Sequence, residues 1–488
     1  MSMGRRREKQ APLWVAAPSL PRSPGHRFYE KLNELLREAR FDQAMEAACA
    51  KYFEADGTVG RPSIAPGVYF RMLMIGFFEG IESERGIEWR CSDSLSLRAF
   101  LGVLPGETVP DHSTLSKMRK RLGGEAFETM FRFVLGVVEK SGLLKGKVMG
   151  VDSTYLRADA SMKAIVRRDS GEVYEDFIKR LAKEEGIPEP TAEEARRLDR
   201  KRKGKKTSNV DWKSKTDEDA RIARLKDGRT RLAYKSEHVV DMDTGVVVAA
   251  EVYTADQCDT ATLTQSLEQG RSNVEEARSD KRNDSNDEPP SASKGTGESG
   301  GAAVIEVVAD KGYHKAALLV SLRESGYRTY LPEKKQRDRK WTDENRDLQQ
   351  ALYANRARTR RPKGRALQRR RGELIERTFA HACETGAIRR VRLRGRDNVR
   401  KRYLAHLATL NLSLVLRKAL GAGTPRALAT ARKGRLWVVF VVWAVLAAVV
   451  RDLGRRLAWF SQRAWCVMGI DSGGQPSRFL NPDRSTGC

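Results

Sequence analysis

The hydrophobic positions change period near residue 145. From 28 to about 140 they recur every three or four residues, as in FYEKLNELLREARFDQAMEAACAKYF, GVYFRMLMIGFFEGI, SLRAFLGV and STLSKMRKRLGGEAFETMFRFVLGVVEKSG, which predicts an all-helical segment with short connections. Beyond it, short apolar runs replace the helical stripe. Val148-Met149-Gly150-Val151 predicts a buried strand with Asp152 at its carboxyl end. EHVVDMDTGVVVAAEVYT predicts a hairpin turning at Asp243-Thr244-Gly245, so that three consecutive strands form an antiparallel meander. AAVIEVVADKGYHKAALLVSLRESGYRTYLPE predicts a strand over 303–309 ending at Asp310, a helix over about 314–325 and a strand over 328–331. Strand, helix and strand in that order imply parallel pairing through a right-handed crossover. A further helix, RRRGELIERTFAHACETG at 369–386, would pack on the sheet. The fold class expected is α/β, a mixed sheet flanked by helices behind an all-α amino-terminal domain.

Between these elements the pattern fails in four places. Residues 1–27 read as a basic flexible tail, and about 165–231 as a charged insertion with little apolar material. Residues about 272–303, SNVEEARSDKRNDSNDEPPSASKGTGESGG, read as a disordered loop. Residues 425–488 form a basic and apolar carboxyl-terminal tail, leaving domains at 28–140 and 146–424. Inside that tail LWVVFVVWAVLAAVV, 436–450, is an unbroken apolar run between Arg435 and Arg451. It is shorter than the roughly 20 residues of a spanning helix, so stable membrane association is not expected.

Charge narrows the partner. Lys and Arg total 91 against 64 Asp and Glu, a formal net charge of +27. Such an excess points to a polyanion, with DNA ahead of an anionic membrane surface. The six cysteines include no C-x-x-C pair or zinc-ligand spacing, and no apolar run of signal-peptide length opens the chain, so the expected setting is cytoplasmic.

Against this basic background, carboxylates at strand ends stand out. Asp152 and Asp310 each follow a predicted buried strand, and adjacency of those strands would set both on one edge. Two carboxylates so placed repel one another unless a cation lies between them, and Mg²⁺ is the hard ion suited to carboxylate and phosphate oxygens. The third acid is sought on the 369–386 helix. Glu373 has Arg377 four residues on and is explained by an ion pair. Glu376 has no such cation and lies on a line with Ala380 and Cys383. Glu384, near the helix end, is the runner-up. Asp152, Asp310 and Glu376 form the predicted set, holding two metal ions for in-line displacement at phosphorus.

Candidate DNA contacts flank these acids. PDHSTLSKMRKRL places a turn and a cap before a helix carrying Lys117, Arg119, Lys120 and Arg121, in the manner of a helix-turn-helix or of an ordinary basic helix face. Arg389, Arg390, Arg392 and Arg394 lie in an extended segment after the glutamate helix, where they could meet phosphates.

Taken together, PDHSTLSKMRKRL, GVDSTYLRADAS, YKSEHVVDMDTGVVVAAEVYTADQCD, VVADKGYHK and GELIERTFAHACETGAIRRVRLRGRDNVRKRYLAHLATLNLSLVLR resemble the DDE transposases of bacterial insertion sequences. The resemblance spans most of 50–424. It implies an InsH-like helical amino-terminal domain, an RNase-H-like catalytic domain, and Asp152, Asp310 and Glu376 as catalytic and metal-binding residues. It further implies Mg²⁺ or Mn²⁺, as two ions, and metal-dependent cleavage at element ends with transfer of 3′-hydroxyls to target DNA. The partners implied are terminal inverted repeats and target DNA, with a homodimer on DNA in the nucleoid. The family's Y-x2-R-x3-E-x6-K set is absent in register, where Arg369, Gly372 and Cys383 stand instead, leaving Arg371, Arg377 or His381 to substitute as candidate DNA contacts. Two other readings stay open: a metal-dependent nuclease that does not join strands, and a DNA-binding regulator without catalysis.

Overall fold

The computed structural model describes residues 23–53, 63–187, 190–284, 304–334 and 341–430. Residues up to Leu428 belong to one compact unit. The apolar run 436–450 lies outside the described residues, among which no helix is long and apolar enough to cross a membrane.

Among the described residues seven α-helices come first: α1 (Pro24–Glu38), α2 (Phe41–Cys49), α3 (Pro66–Glu79), α4 (Glu84–Ser92), α5 (Leu95–Leu101), α6 (His112–Arg121) and α7 (Gly124–Lys140). Helix α1 starts inside the stretch expected as tail, with Pro24 in its first turn, where a missing N–H is harmless. Ser83, Ser94 and Asp111 cap α4, α5 and α6 with side-chain oxygens. Phe28, Tyr29, Phe70, Phe78 and Phe127 are almost completely buried in the core these helices share.

Strand β1 (Val148–Arg157) is longer than its apolar run. It is followed by β2 (Ile165–Arg167), α8 (Tyr174–Glu184), α9 (Ala192–Lys201), α10 (Ser208–Asp211), β3 (Trp212–Ser214) and β4 (Arg221–Arg224). The charged insertion is therefore structured. Phe177, Ile178 and Trp212 are buried, and the Arg167 guanidinium lies 4.8 Å from the Phe177 ring and 5.6 Å from that of Trp212. Few apolar groups suffice because an arginine face covers the aromatic pair.

Next come β5 (Thr230–Asp241), β6 (Val247–Thr254), α11 (Asp259–Asp284), β7 (Ile305–Ala309), α12 (Ala316–Glu324) and β8 (Tyr327–Tyr330). The chain closes with α13 (Arg346–Arg360), α14 (Pro362–Ala380), a π turn at His381–Thr385 and α15 (Arg396–Leu420). Helix α11 continues to residue 284, through the first part of the expected disordered loop. Its line of Leu263, Leu267, Val274 and Ala277 is buried, a three-and-four spacing that the polar composition hides.

The sheet runs β8, β7, β1, β5, with β4 and β6 both on the far edge of β5. Strands β8, β7 and β1 are parallel; β1, β5 and β6 are antiparallel, as the meander predicts. At the hairpin, Asp241 is fully buried and its Oδ2 accepts from the amides of Lys145 and Gly146, 2.6 and 2.8 Å away, which fixes the chain entering β1. Helix α11 covers one face, and α14 and α15 cover the other. Asn411 on α15 bonds both the N–H and the C=O of Val247, at 3.0 and 2.8 Å. Helix α15 also packs on α7 and α3, so the amino-terminal helices share one core with the sheet.

Candidate active site

Parallel pairing of β1 with β7 brings Val151 opposite Ala309, and the residues that follow are Asp152 and Asp310. The two carboxylates thus emerge side by side, as adjacency predicts. Asp152 is in mid-strand rather than at a strand end, because β5 pairs with β1 as far as Arg157 while β7 stops at Ala309. Its Oδ1 accepts from the Ser153 amide at 2.8 Å. Burial raises its pKa, the nearby Asp310 adds to that, and the Arg371 guanidinium and the Ser153 amide pull the other way. Asp310 caps the turn after β7, its Oδ1 accepting from Gly312 N at 2.5 Å.

Helix α14 crosses this edge. Gly150 permits the approach, since a Cβ there would come within 2.9 Å of Ile375 Cδ1. The sheet-facing line of α14 runs through Arg371, Ile375 and Thr378. Arg371 Nη1 donates to Asp152 Oδ2 at 2.8 Å, so this candidate DNA contact is occupied by the first aspartate. Glu376 lies about 100° round the helix from Ile375. It is exposed and makes no hydrogen bond or ion pair among the described residues. Glu373 pairs with Arg377 at 2.6 Å, as its spacing predicts, and Glu384 pairs with Arg389 at 3.3 Å.

Two buried networks, neither legible in the sequence, hold these segments. On the α14 face, His238 is opposite Asp152 in the β1–β5 ladder. Its Nδ1 is 3.1 Å from Thr378 Oγ1, its Nε2 meets the Tyr403 hydroxyl, and the Phe379 ring stacks on it at 4.0 Å. Thr378 Oγ1 donates to Ile375 O at 2.8 Å. A neutral imidazole with the proton on Nδ1, inferred from these partners, satisfies every bond. The ring ties the glutamate helix to the sheet.

On the α11 face, Glu237 and Lys235 of β5 are almost wholly buried. Glu237 accepts from the hydroxyls of Tyr313 (2.8 Å), Thr262 (2.8 Å) and Ser266 (2.5 Å). Lys235 Nζ lies 2.9 Å from Asp259 Oδ1 and 3.4 Å from Glu237 Oε2. Ser153, next to Asp152, donates to Asp259 Oδ1 at 3.1 Å. Tyr313 ends the turn that Asp310 begins. Both aspartate segments are therefore anchored in one polar cluster behind the sheet.

Burial lowers the His238 pKa to about 3. From about pH 6.5 down to that value the unfolded chain binds more protons than the folded one, so stability falls with falling pH. The slope expected is about 1.4 kcal/mol per pH unit. Buried His406, also lowered, acts in the same sense, and the raised Asp152 acts in the opposite sense in the acid range nearer its usual value. Urea unfolding between about pH 5 and 7 should show the slope reduced in His238→Gln; an unchanged slope would place a charged imidazole in the fold.

The remaining basic candidates divide. On α6, Lys117, Lys120 and Arg121 are exposed, whereas Arg119 is drawn inward to Glu84. The 389–391 segment adds to the end of β1, with Arg157 N donating to Arg389 O at 3.1 Å and Val391 N to Arg157 O at 2.9 Å. From it Arg392 pairs with Glu82 at 2.9 Å, while Arg390 and Arg394 share Asp159 at 3.2 and 3.4 Å. His381 is half-buried, and its pKa is lowered by burial and by Arg417 and Arg377.

Asp152 and Asp310 offer the hard oxygen donors and the mutual repulsion that suit a divalent cation. Among the described residues, however, no three Asp, Glu, His or Cys side chains are gathered closely enough to hold one. Glu376 and Asp152 would have to draw together, with Arg371 displaced.

A family model for a transposase domain (DUF772) matches residues 19–121, and one for a transposase DDE domain matches residues 328–416. The second span contains Glu376; Asp152 and Asp310 precede it. No curated protein and no solved structure matches the chain significantly. The amino-terminal helices thus match a transposase domain, and the stretch from β8 through α14 into α15 matches a transposase DDE domain.

Proposed function

We propose that this transposase cuts DNA at the ends of a bacterial insertion sequence and joins the freed 3′-hydroxyls to target DNA, using Asp152, Asp310 and Glu376. The observation that carries the reading is the emergence of Asp152 and Asp310 from neighbouring parallel strands, with the glutamate helix packed across them. The strand order supports an RNase-H-like sheet: β6, β5 and β1 are antiparallel, β7 and β8 continue parallel to β1, and the short β4 adds to the edge of β5. Mg²⁺ or Mn²⁺, as two ions, would be held by the two aspartates and Glu376, supplying Lewis acidity at the scissile phosphate. His238 holds the glutamate helix, and the Glu237 cluster holds both aspartate segments. Lys117, Lys120 and Arg121 face outward for the terminal repeats. Pairing two element ends calls for a homodimer on DNA, in the nucleoid of the cytoplasm.

One observation favours a DNA-binding regulator without catalysis: Arg371 engages Asp152, and no three-carboxylate group is assembled. The test is a labelled fragment carrying the element's end, incubated with Mg²⁺, Mn²⁺ or Ca²⁺, for wild type and Asp152→Ala, Asp310→Ala and Glu376→Gln. Cleaved and joined products that vanish in all three variants support the transposase reading. Cleavage without joining leaves a nuclease, and binding without cleavage leaves the regulator.

A further inference from the structure

Where β1 leaves the sheet, positive charge gathers around an open pocket. Arg157, Arg231, Arg390, Arg394 and Lys163 line it, and Asp159 is the one carboxylate among its lining residues. Four separate stretches of chain supply these side chains: the end of β1, the start of β5, the segment before α15, and the insertion. Asp159 is shared by Arg390 and Arg394. Arg157 and Arg231 make no side-chain hydrogen bond or ion pair among the described residues, and Lys163 is exposed. The Nε of Arg390 is buried without a hydrogen-bond partner.

Half-buried guanidiniums facing one another are unfavourable, and the Arg157 pKa is depressed by burial and by the charges of Arg231, Arg390 and Arg392. A concave site with an excess of four cations and forked donors fits phosphate oxygens. Its place in the fold selects the source. Arg157 is five residues beyond Asp152 on the same strand, about 16 Å at 3.2–3.4 Å per residue. At about 3.4 Å per base pair, that is the axial rise of roughly five base pairs.

We propose that the Arg157, Arg231, Arg390 and Arg394 pocket grips backbone phosphates of the DNA duplex about five base pairs from the bond to be cut. The insertion between β1 and β5, through Ser161 to Lys163 and Thr216, is the outer wall of that grip. The inference rests on the reading of Asp152 as a cutting residue.

The experiment measures binding of the full chain to a labelled end duplex over about 50–200 mM salt, for wild type, Arg157→Gln/Arg231→Gln, and a control Lys179→Gln/Arg180→Gln on the exposed side of α8. Loss of two phosphate contacts should flatten the plot of log affinity against log salt by about 1.8, and the control should leave it unchanged. Because Arg157 and Arg231 have no side-chain partner among the described residues, the double variant should melt no lower than wild type. Neutral methylphosphonate linkages placed one at a time should weaken wild type, and cease to weaken the variant, at positions about five base pairs from the cut. A variant with wild-type affinity and salt slope overturns the pocket, as does insensitivity spread evenly along the duplex. Wild type that shows no salt-dependent binding overturns the DNA reading itself, so the two failures are separable.

Discussion

Glu237→Ala is expected to unfold about 3–5 kcal/mol more readily than wild type, the range for removing one partner of a buried charged pair. The reason is what Glu237 leaves behind. Three hydroxyls, on Tyr313, Thr262 and Ser266, lose their carboxylate acceptor in an interior closed to water. Lys235 keeps only Asp259 as a counter-charge, and that carboxylate is partly exposed. An unsatisfied buried polar group costs about 1–3 kcal/mol, so several together reach the expected range even after partial repacking. Tyr313→Phe, which removes one bond and keeps the ring, should cost about 1–2 kcal/mol. The local effect is more informative than the global one. Freed from Glu237, Tyr313 no longer anchors the turn that begins at Asp310. Urea unfolding gives the stability change, and amide exchange at residues 311–314 gives the loosening. A cost below about 1 kcal/mol, or unchanged exchange in that turn, would mean that the cluster does not brace the aspartates.

Arg371→Gln should respond to Mg²⁺ more strongly than wild type. The guanidinium donates to the Asp152 oxygen that a divalent cation would also need, so arginine and metal compete. In chelator the variant loses a charge-assisted hydrogen bond, about 1.5–3 kcal/mol, and Asp152 loses the neighbour that offsets burial and Asp310. A cation then has no rival to displace. If half of that bond is recovered as metal affinity, the dissociation constant falls by roughly three- to tenfold, since about 1.4 kcal/mol is a factor of ten. Melting curves with and without millimolar Mg²⁺ or Mn²⁺ read the difference without any cleavage assay. Equal metal-dependent shifts in the two proteins would show that Arg371 is not in competition. Because guanidinium chemistry also suits phosphate, lower activity alongside tighter metal binding would give Arg371 a second task on DNA.

The strands that carry the aspartates were legible because an apolar run followed by an acid is a local signal. The runs at 148–151 and 303–309 fall on β1 and β7, which extend over Val148–Arg157 and Ile305–Ala309, and the hairpin at Asp243 to Gly245 fixed the antiparallel arrangement. The helical ends of α11 and α14 were less legible. Residues 272–284 look disordered by composition, yet Val274 and Ala277 extend the buried line of α11. The bracing residues were not legible at all. Lys235, Glu237 and His238 give β5 the appearance of a half-exposed strand, but helices lie on both faces and bury them. Their partners, such as Tyr313 and Tyr403, are far along the chain, and no periodicity reports a pairing of that kind. The same holds for Arg371, which stands among a run of arginines; only the packing of Ile375 on Gly150 singles it out for Asp152.

Helix α15 fills the space between the amino-terminal helices and the sheet, with Val399, Tyr403, Leu407 and Leu412 almost completely buried. It leaves the ribosome late, some 250 residues after α7. At about 5–20 residues per second, α3, α7 and β6 wait from several seconds to about a minute with apolar surface that α15 comes to cover. Assembly of both halves is thus timed by the end of translation. A chain interrupted anywhere before residue 396 would present a sticky, unfinished interior to chaperones and proteases instead of a free-standing helical domain.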